Sequence, residues 1–272
     1  MTRLNTMDID RISCDLQKND RQWQRTLGYT LEEIAKKAVN ASHVNTGLRT
    51  ATVPVTCGMG IIGGFNEAVR DILEYCGADV FITNKTDVAG IQEAYINGAE
   101  LIFMADDDVC AAFSVHGKGT SDNGYATGIG FAAALEIMME RIEKEEVLIL
   151  GSGPVGTAAA QYFSKKGAVP VVCDIDEEKA CSVAASIKNA RVERNRGHIR
   201  NYRYLLDATT SGDFIRSCDV TEQTRISAPG IPLGVSKEVM DQIPVFHNPL
   251  ELGIMTMYFD CMKQLREGGR HE

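Results

Sequence analysis

Long apolar runs are missing from this chain of 272 residues. None approaches the roughly 20 consecutive apolar residues that cross a bilayer, so no membrane-spanning helix is expected. The opening segment, Met1 to Asp10, is polar and has no secretory core, so a soluble, cytoplasmic protein is expected. Cysteine pairing motifs are missing as well. The cysteines at positions 14, 57, 76, 110, 173, 181, 218 and 261 include no Cys-x-x-Cys, and no histidine stands at metal-ligand spacing from them. They read as small core residues in a reducing compartment, and no metal site is expected. Basic stripes are also lacking. With 28 Lys and Arg against 37 Asp and Glu, the net charge is −9, which argues against a nucleic-acid partner because phosphate binding needs clustered positive charge. The same charge mildly favours a cationic ligand. What is present, 44% hydrophobic and 24% charged residues, suffices for two modest cores.

The apolar pattern divides the chain in two. Ile9, Ile12 and Leu16 predict an amphipathic helix over 8–27 with Thr6 as its cap, and a second helix covers 31–39. Strands at 51–56, 80–83 and 101–105 then alternate with helices at 65–75 and 88–97, the signature of a small parallel sheet with crossover helices. The Gly-, Ser- and Asn-rich stretch 114–124 reads as an exposed loop. A long helix over 129–142 links it to a second series of strands at 147–150, 169–173, near Val192, 204–208 and 225–228. A last helix covers about 250–265. The expected class is therefore α/β: an N-terminal helical and small parallel-sheet domain, 1–125, followed by a Rossmann doubly wound domain, 126–272, entered by the linking helix and closed by the C-terminal one.

G-x-G-x-x-G occurs twice, and context separates the copies. Gly151-Ser152-Gly153-Pro154-Val155-Gly156 follows the apolar strand Val147-Leu148-Ile149-Leu150 and opens a helix. Gly151 permits the tight turn, Gly153 lets backbone approach a pyrophosphate, and Gly156 lets helix pack on strand, while free N–H groups at the helix start face the phosphates. The next strand ends in Asp174, followed by Ile175. The Asp174 carboxylate can accept both adenosine ribose hydroxyls and would repel a 2′-phosphate, so NAD is the expected cofactor rather than NADP. Arg191 and Arg194 lie too far along to reverse that preference. The small loops around Thr209 and Thr210, and around Pro229 and Pro232, leave strand ends where ribose and nicotinamide need room. The other copy, Gly58 to Gly63, is followed by a strand ending Thr83-Asn84, with no carboxylate for a ribose. It reads as a turn of the other domain whose N–H groups can meet a substrate carboxylate.

Asp106-Asp107-Asp108 follows a strand directly. Asp106 is placed to hold a substrate ammonium by a charge-assisted hydrogen bond, or else to cap locally; Asp107 and Asp108 are expected to cap the next segment. No general base is evident. The five histidines, at 43, 116, 198, 247 and 271, are scattered, and each reads alone as a surface or satisfied residue. Cys57 has no base nearby in sequence and reads as small packing beside the pocket. Hydride transfer can proceed by positioning alone if the substrate supplies a neutral amine.

The run Val53-Pro54-Val55-Thr56-Cys57-Gly58-Met59-Gly60-Ile61-Ile62-Gly63-Gly64-Phe65 and the run from Asn97-Gly98-Ala99 to Met104-Ala105-Asp106-Asp107 closely resemble the pyrrolysine biosynthesis dehydrogenase family, PylD. Phe81-Ile82-Thr83, Asp87-Val88, Thr127-Gly128-Ile129, Pro229-Gly230-Ile231-Pro232 and Pro249-Leu250 fit in the same order. The resemblance implies NAD-dependent oxidation of the ornithine side-chain amine of L-lysine-Nε-3-methyl-D-ornithine to an imine or semialdehyde that cyclises to pyrrolysine. It also implies that Leu4, Cys57, Phe65, Asp106 and Asn123 border that substrate. Two positions depart from the family pattern: Cys57 stands in place of serine, and Asn248 in place of a glutamate. Two other readings stay open, a dehydrogenase of another amino acid or diamine and an NAD(H)-binding sensor without turnover. The expected partner is a cationic small molecule, and a homodimer is left open as the assembly.

Overall fold

The computed structural model describes residues 6–41, 47–248 and 250–268, and the chain divides into two compact units. The first holds α1 (Thr6–Leu27), α2 (Leu31–Val39), β1 (Arg49–Val53), α3 (Phe65–Tyr75), β2 (Asp79–Ile82), α4 (Asp87–Ile96), β3 (Leu101–Ala105), β4 (Cys110–Ser114) and β5 (Thr120–Asp122). α5 (Asn123–Met138) begins there and continues into the second unit. That unit holds β6 (Glu146–Leu150), α6 (Pro154–Lys165), β7 (Val169–Cys173), α7 (Glu177–Ser186), β8 (Arg191–Val192), β9 (Tyr204–Asp207), β10 (Arg225–Ser227), α8 (Lys237–Gln242) and β11 (Val245–Phe246). α9 (Glu251–Gly268) returns to the first unit. A second domain running unbroken from 126 to 272 is therefore not the division found: the C-terminal helix α9 belongs to the core of the first unit.

Local chemistry sets the helix ends of the first unit. At α2, the Thr30 hydroxyl accepts from Glu33 N (3.2 Å) and the Glu33 carboxylate accepts from Thr30 N (2.8 Å), a capping box. The buried Asp20 carboxylate accepts from Leu31 N (2.6 Å) and from the Tyr75 hydroxyl (2.7 Å), so one carboxylate joins α1, α2 and α3. Thr6, expected as the cap of α1, is already the first residue of that helix. The sheet has the order β2-β1-β3-β4-β5. β2, β1 and β3 are parallel, as the alternation predicts, whereas β4 and β5 add antiparallel strands. The stretch 114–124, expected as a loop, thus contains a strand. Its polarity hides it because β5 is an edge, and α9 covers that edge: the Gln264 amide donates to Thr120 O (2.8 Å) and accepts from Thr120 N (3.1 Å). Leu252, Ile254, Met255, Met257, Tyr258 and Phe259 of α9 are buried on all sides. Each side chain so buried contributes about 1.5–3 kcal/mol.

The second unit is a parallel sheet ordered β8-β7-β6-β9-β10-β11. Counted from β6, this is the 3-2-1-4-5-6 order of a doubly wound nucleotide fold. Val147, Leu148, Ile149 and Leu150 are all buried, as a central parallel strand requires with helices on both faces. Because every strand runs the same way, all C-terminal ends lie on one edge. The order reverses between β6 and β9, which is where such sheets open a ligand crevice. No helix among the described residues is long and apolar enough to cross a membrane.

Candidate active site

The β6–α6 turn shows why each of its glycines is needed. Gly151 has φ +94°, and a Cβ there would lie 2.8 Å from Ala208 O. A Cβ on Gly156 would lie 1.9 Å from Gly151 O, inside any contact distance. A Cβ on Gly153 would meet nothing within 4 Å. The turn is therefore closed by its own backbone at the first and third glycines and open at the second. Pro154 is the first residue of α6, and Thr157 N donates to Gly153 O (2.9 Å). Helical geometry leaves the Val155 and Gly156 N–H groups directed out of the helix end.

Asp174, at the end of β7, is held by this same turn. Its Oδ2 accepts from Ser152 N and from the Ser152 hydroxyl, both at 2.6 Å, and its Oδ1 accepts from Asp176 N at 2.9 Å. Burial pushes the carboxyl pKa up, but the Ser152 hydroxyl and the two N–H groups outweigh it, so Asp174 titrates below the ordinary carboxylate value. Ile175 beside it is 90% exposed. Arg191 pairs with Glu146 (2.6 Å) and Arg194 with Glu177, so both cations already have acidic partners.

The loops after β9 and β10 leave the same edge and knit together. Asp207 ends β9, fully buried, and its Oδ1 accepts from Thr209 N (3.1 Å) and the Thr209 hydroxyl (2.7 Å). Its Oδ2 stands against the Gly234 backbone, where a Cβ would lie 2.1 Å away. Burial raises the Asp207 pKa to about 6, against the lowering effect of Thr209 and of the Gly234 N–H. Asp213 N, Phe214 N and Ile215 N donate to Leu233 O, Gly234 O and Gly234 O, tying one loop to the other. Thr209 and Pro229 are half-buried here, while Thr210 and Pro232 are exposed.

In the first unit, Phe65 and Asp106 line one small pocket of about 30 Å³, together with Val53, Val55, Gly60, Ile61, Ile62, Asn66 and Ala105. Asp106 both caps and lines. Its Oδ1 accepts from Asp108 N (2.8 Å) and Val109 N (2.7 Å), closing the β3–β4 turn. The N–H groups of Val109 and then Asp108 hold its pKa below the usual value, so it is anionic at neutral pH. Asp107, expected as a local cap, instead reaches the glycine loop: its Oδ2 accepts from Met59 N at 2.7 Å, and a Cβ on Gly58 (φ +68°) would lie 2.1 Å from it. On the other side of that loop, Asp87 accepts from Thr56 N (2.8 Å) and the Thr56 hydroxyl (2.6 Å) while adopting φ +54°, a conformation that costs a non-glycine residue about 1 kcal/mol. Two carboxylates thus fix the shape of the loop that carries Cys57.

The expected substrate residues are not all brought into that pocket. Cys57 is exposed and Asn123 is half-buried at the start of α5. Neither lines the Phe65–Asp106 pocket. Asn248 is buried in the second unit. Leu4 lies outside the described residues, as do His43, His271 and Pro249. Reading the sequence missed the roles of Asp87, Asp107 and Asp207, which depend on partners remote in sequence or on burial. It also grouped His247 with the scattered histidines. His116 and His198 are exposed, and His198 meets Glu193 (3.2 Å). His247 is different: its Nδ1 is 2.6 Å from Ala228 O.

The chain is similar to several known proteins. Residues 8–121 match the family model described as pyrrolysine biosynthesis protein PylD, N-terminal domain. A pyrrolysine synthase from Methanosarcina barkeri (strain Fusaro) is 30% identical over 267 residues, spanning 96% of this chain and 98% of its own length. One from Methanosarcina acetivorans is 29% identical over 264 residues, spanning 96% and 100%. Among solved structures, quinate dehydrogenase from Corynebacterium glutamicum in complex with NAD aligns with a TM-score of 0.55 at 12% identity, over 83% of this chain and 99% of that one. Shikimate 5-dehydrogenase from Thermus thermophilus, in complex with NADP(H) and shikimate, aligns at 0.52 and 16%, over 82% and 99%. At such identities the solved structures speak for the fold.

Proposed function

The chain belongs to the pyrrolysine synthase family, and from that premise we propose that it is an NAD-dependent amine dehydrogenase forming pyrrolysine. Its substrate is L-lysine-Nε-3-methyl-D-ornithine, and the reaction oxidises the carbon bearing the ornithine side-chain amine to an imine or semialdehyde. The ornithine α-amine then attacks that carbon, ammonia or water leaves, and the ring closes. The observation that carries the substrate side is the pocket in which Phe65 stands with the anionic, turn-fixed Asp106. A carboxylate there pairs with a substrate ammonium at no cost in reorganisation.

Several features of the second unit support the reading that it holds a nicotinamide dinucleotide. The open face of Gly153 admits a pyrophosphate, and the α6 N-terminus supplies N–H groups to it. Asp174, kept anionic and aimed by Ser152, accepts ribose hydroxyls and repels a 2′-phosphate. The prior pairing of Arg191 and Arg194 with glutamates leaves that preference for NAD intact. Exposed Ile175 offers an apolar surface for the adenine. The loops at Thr209–Thr210 and Pro229–Pro232 take the ribose and nicotinamide end. When bound, NAD supplies the hydride acceptor. A cationic-substrate pocket favours an enzyme over a sensor that binds NADH alone.

Asp106→Asn tests the assignment. The amide oxygen still accepts from Asp108 and Val109, so the turn is kept, while the charge is lost. A charge-assisted hydrogen bond is worth about 1.5–3 kcal/mol, so kcat/KM for the amine should fall roughly 10- to 100-fold, with NAD affinity within about twofold of wild type. Equal losses in amine turnover and NAD affinity would remove Asp106 from the substrate site.

A further inference from the structure

The reaction needs a proton acceptor, and the geometry points to His247 Nε2 as the base that takes the proton from the reacting ammonium. This rests on the reading of the chain as an amine dehydrogenase. His247 directly follows β11, on the edge of the second sheet where the C-terminal strand ends gather. Beside it, Ala228 N donates to Phe246 O (2.8 Å), so the β10 loop that opens with Ala228 and Pro229 runs alongside. That is the loop assigned to the nicotinamide end. A carbonyl oxygen only accepts, so the 2.6 Å contact with Ala228 O means that Nδ1 carries the hydrogen. In the neutral ring Nε2 is then the basic nitrogen, and it has no partner among the described residues.

The surroundings keep the imidazole neutral. Ala228, Pro229 and Gly230 on the neighbouring loop and Phe246 and Asn248 on its own segment carry no charge. Burial lowers the His247 pKa, against the raising effect of the Ala228 carbonyl. A histidine whose tautomer is fixed by a carbonyl and whose other nitrogen is unprotonated meets the requirements of a general base near neutrality. The step balances. The ammonium gives its proton to Nε2, and the nitrogen lone pair forms the C=N bond. The C–H pair leaves the same carbon as hydride for the nicotinamide, so the amine carbon is oxidised and NAD reduced.

Two measurements test the assignment. Nitrogen-15 NMR of histidine-labelled protein without cofactor or substrate should show His247 as the Nδ1–H tautomer, titrating below the ordinary histidine value of about 6.5. An Nε2–H tautomer, or titration above that value, overturns it. In His247→Asn the amide N–H still reaches Ala228 O but the base is gone. General-base removal costs roughly 100-fold or more in kcat, so kcat should fall by that much, NAD affinity should stay within about twofold, and the acidic limb of the kcat/KM profile should vanish. A variant with near wild-type kcat and an unchanged pH profile overturns it. If wild type does not turn over the lysyl substrate, it is the substrate reading that fails. The NMR result still decides the tautomer, and the variant is then compared on whichever amine the enzyme oxidises.

Discussion

Gly156→Ala should lose measurable NAD binding and unfold at a lower denaturant concentration, whereas Gly153→Ala should lose NAD binding and unfold as wild type does. The contrast follows from where each new methyl goes. At Gly156 it would lie 1.9 Å from Gly151 O and 3.4 Å from Ile149 Cγ2. That carbonyl cannot retreat, because Gly151 N is bonded to Cys173 O (2.8 Å) and its own α-carbon faces Ala208 O. Overpacking against fixed backbone costs about 1–3 kcal/mol and distorts the turn. At Gly153 the methyl meets nothing within 4 Å, and φ of −72° suits any residue, so stability should change by no more than about 0.5 kcal/mol. The space it fills is the space the proposed function assigns to a pyrophosphate. Urea unfolding and NAD titration by fluorescence check both variants. Gly153→Ala binding NAD normally would reduce the glycine motif to a turn without a ligand.

Asp207→Asn should remove a pH dependence of stability. Asp207 is fully buried with no cation beside it among the described residues to offset the burial, which raises its pKa to about 6. In the unfolded chain an aspartate titrates near 3.9. Between those values the folded protein holds a proton that the unfolded chain has released. Stability therefore falls as pH rises from about 4 to about 6, and the cost is complete above that window. The difference between about 6 and about 3.9 corresponds to about 3 kcal/mol. The asparagine oxygen can still accept from Thr209, and the amide does not ionise. The variant should thus gain on wild type by about 3 kcal/mol between pH 4 and pH 7.5, as measured by urea unfolding. A difference that stays constant with pH would mean that Asp207 is not held protonated in this way.

The second unit was legible because its signals are local. A continuous apolar run at 147–150, glycines at fixed offsets and an acid at the next strand end all fall within some 30 residues, and the observed β6, α6, β7 and Asp174 occupy those places. β11 was missed because it spans only Val245–Phe246, too short to show a period. β5 was missed because polar residues are tolerated on an edge strand that a helix then covers. α9 could be read as a helix, but its place in the first unit depends on which surfaces it fills, and an element buried all round carries no amphipathic direction. The same contrast holds in the site. Asp106 could be singled out from its position after a strand. The reach of Asp107 to Met59, 48 residues away, and of Asp87 to Thr56, 31 residues away, is set by the sheet order and has no local mark. His247 owes its tautomer to a carbonyl 19 residues earlier, brought alongside only by the pairing of β10 with β11.

The central claim meets its most direct test in one assay: the absorbance of NADH, followed at neutral to alkaline pH with NAD and L-lysine-Nε-3-methyl-D-ornithine, and with NADP in parallel. The expected result is NADH formation, far faster with NAD than with NADP, accompanied by a product of pyrrolysine's mass. No NADH formation by protein that demonstrably binds NAD would contradict it.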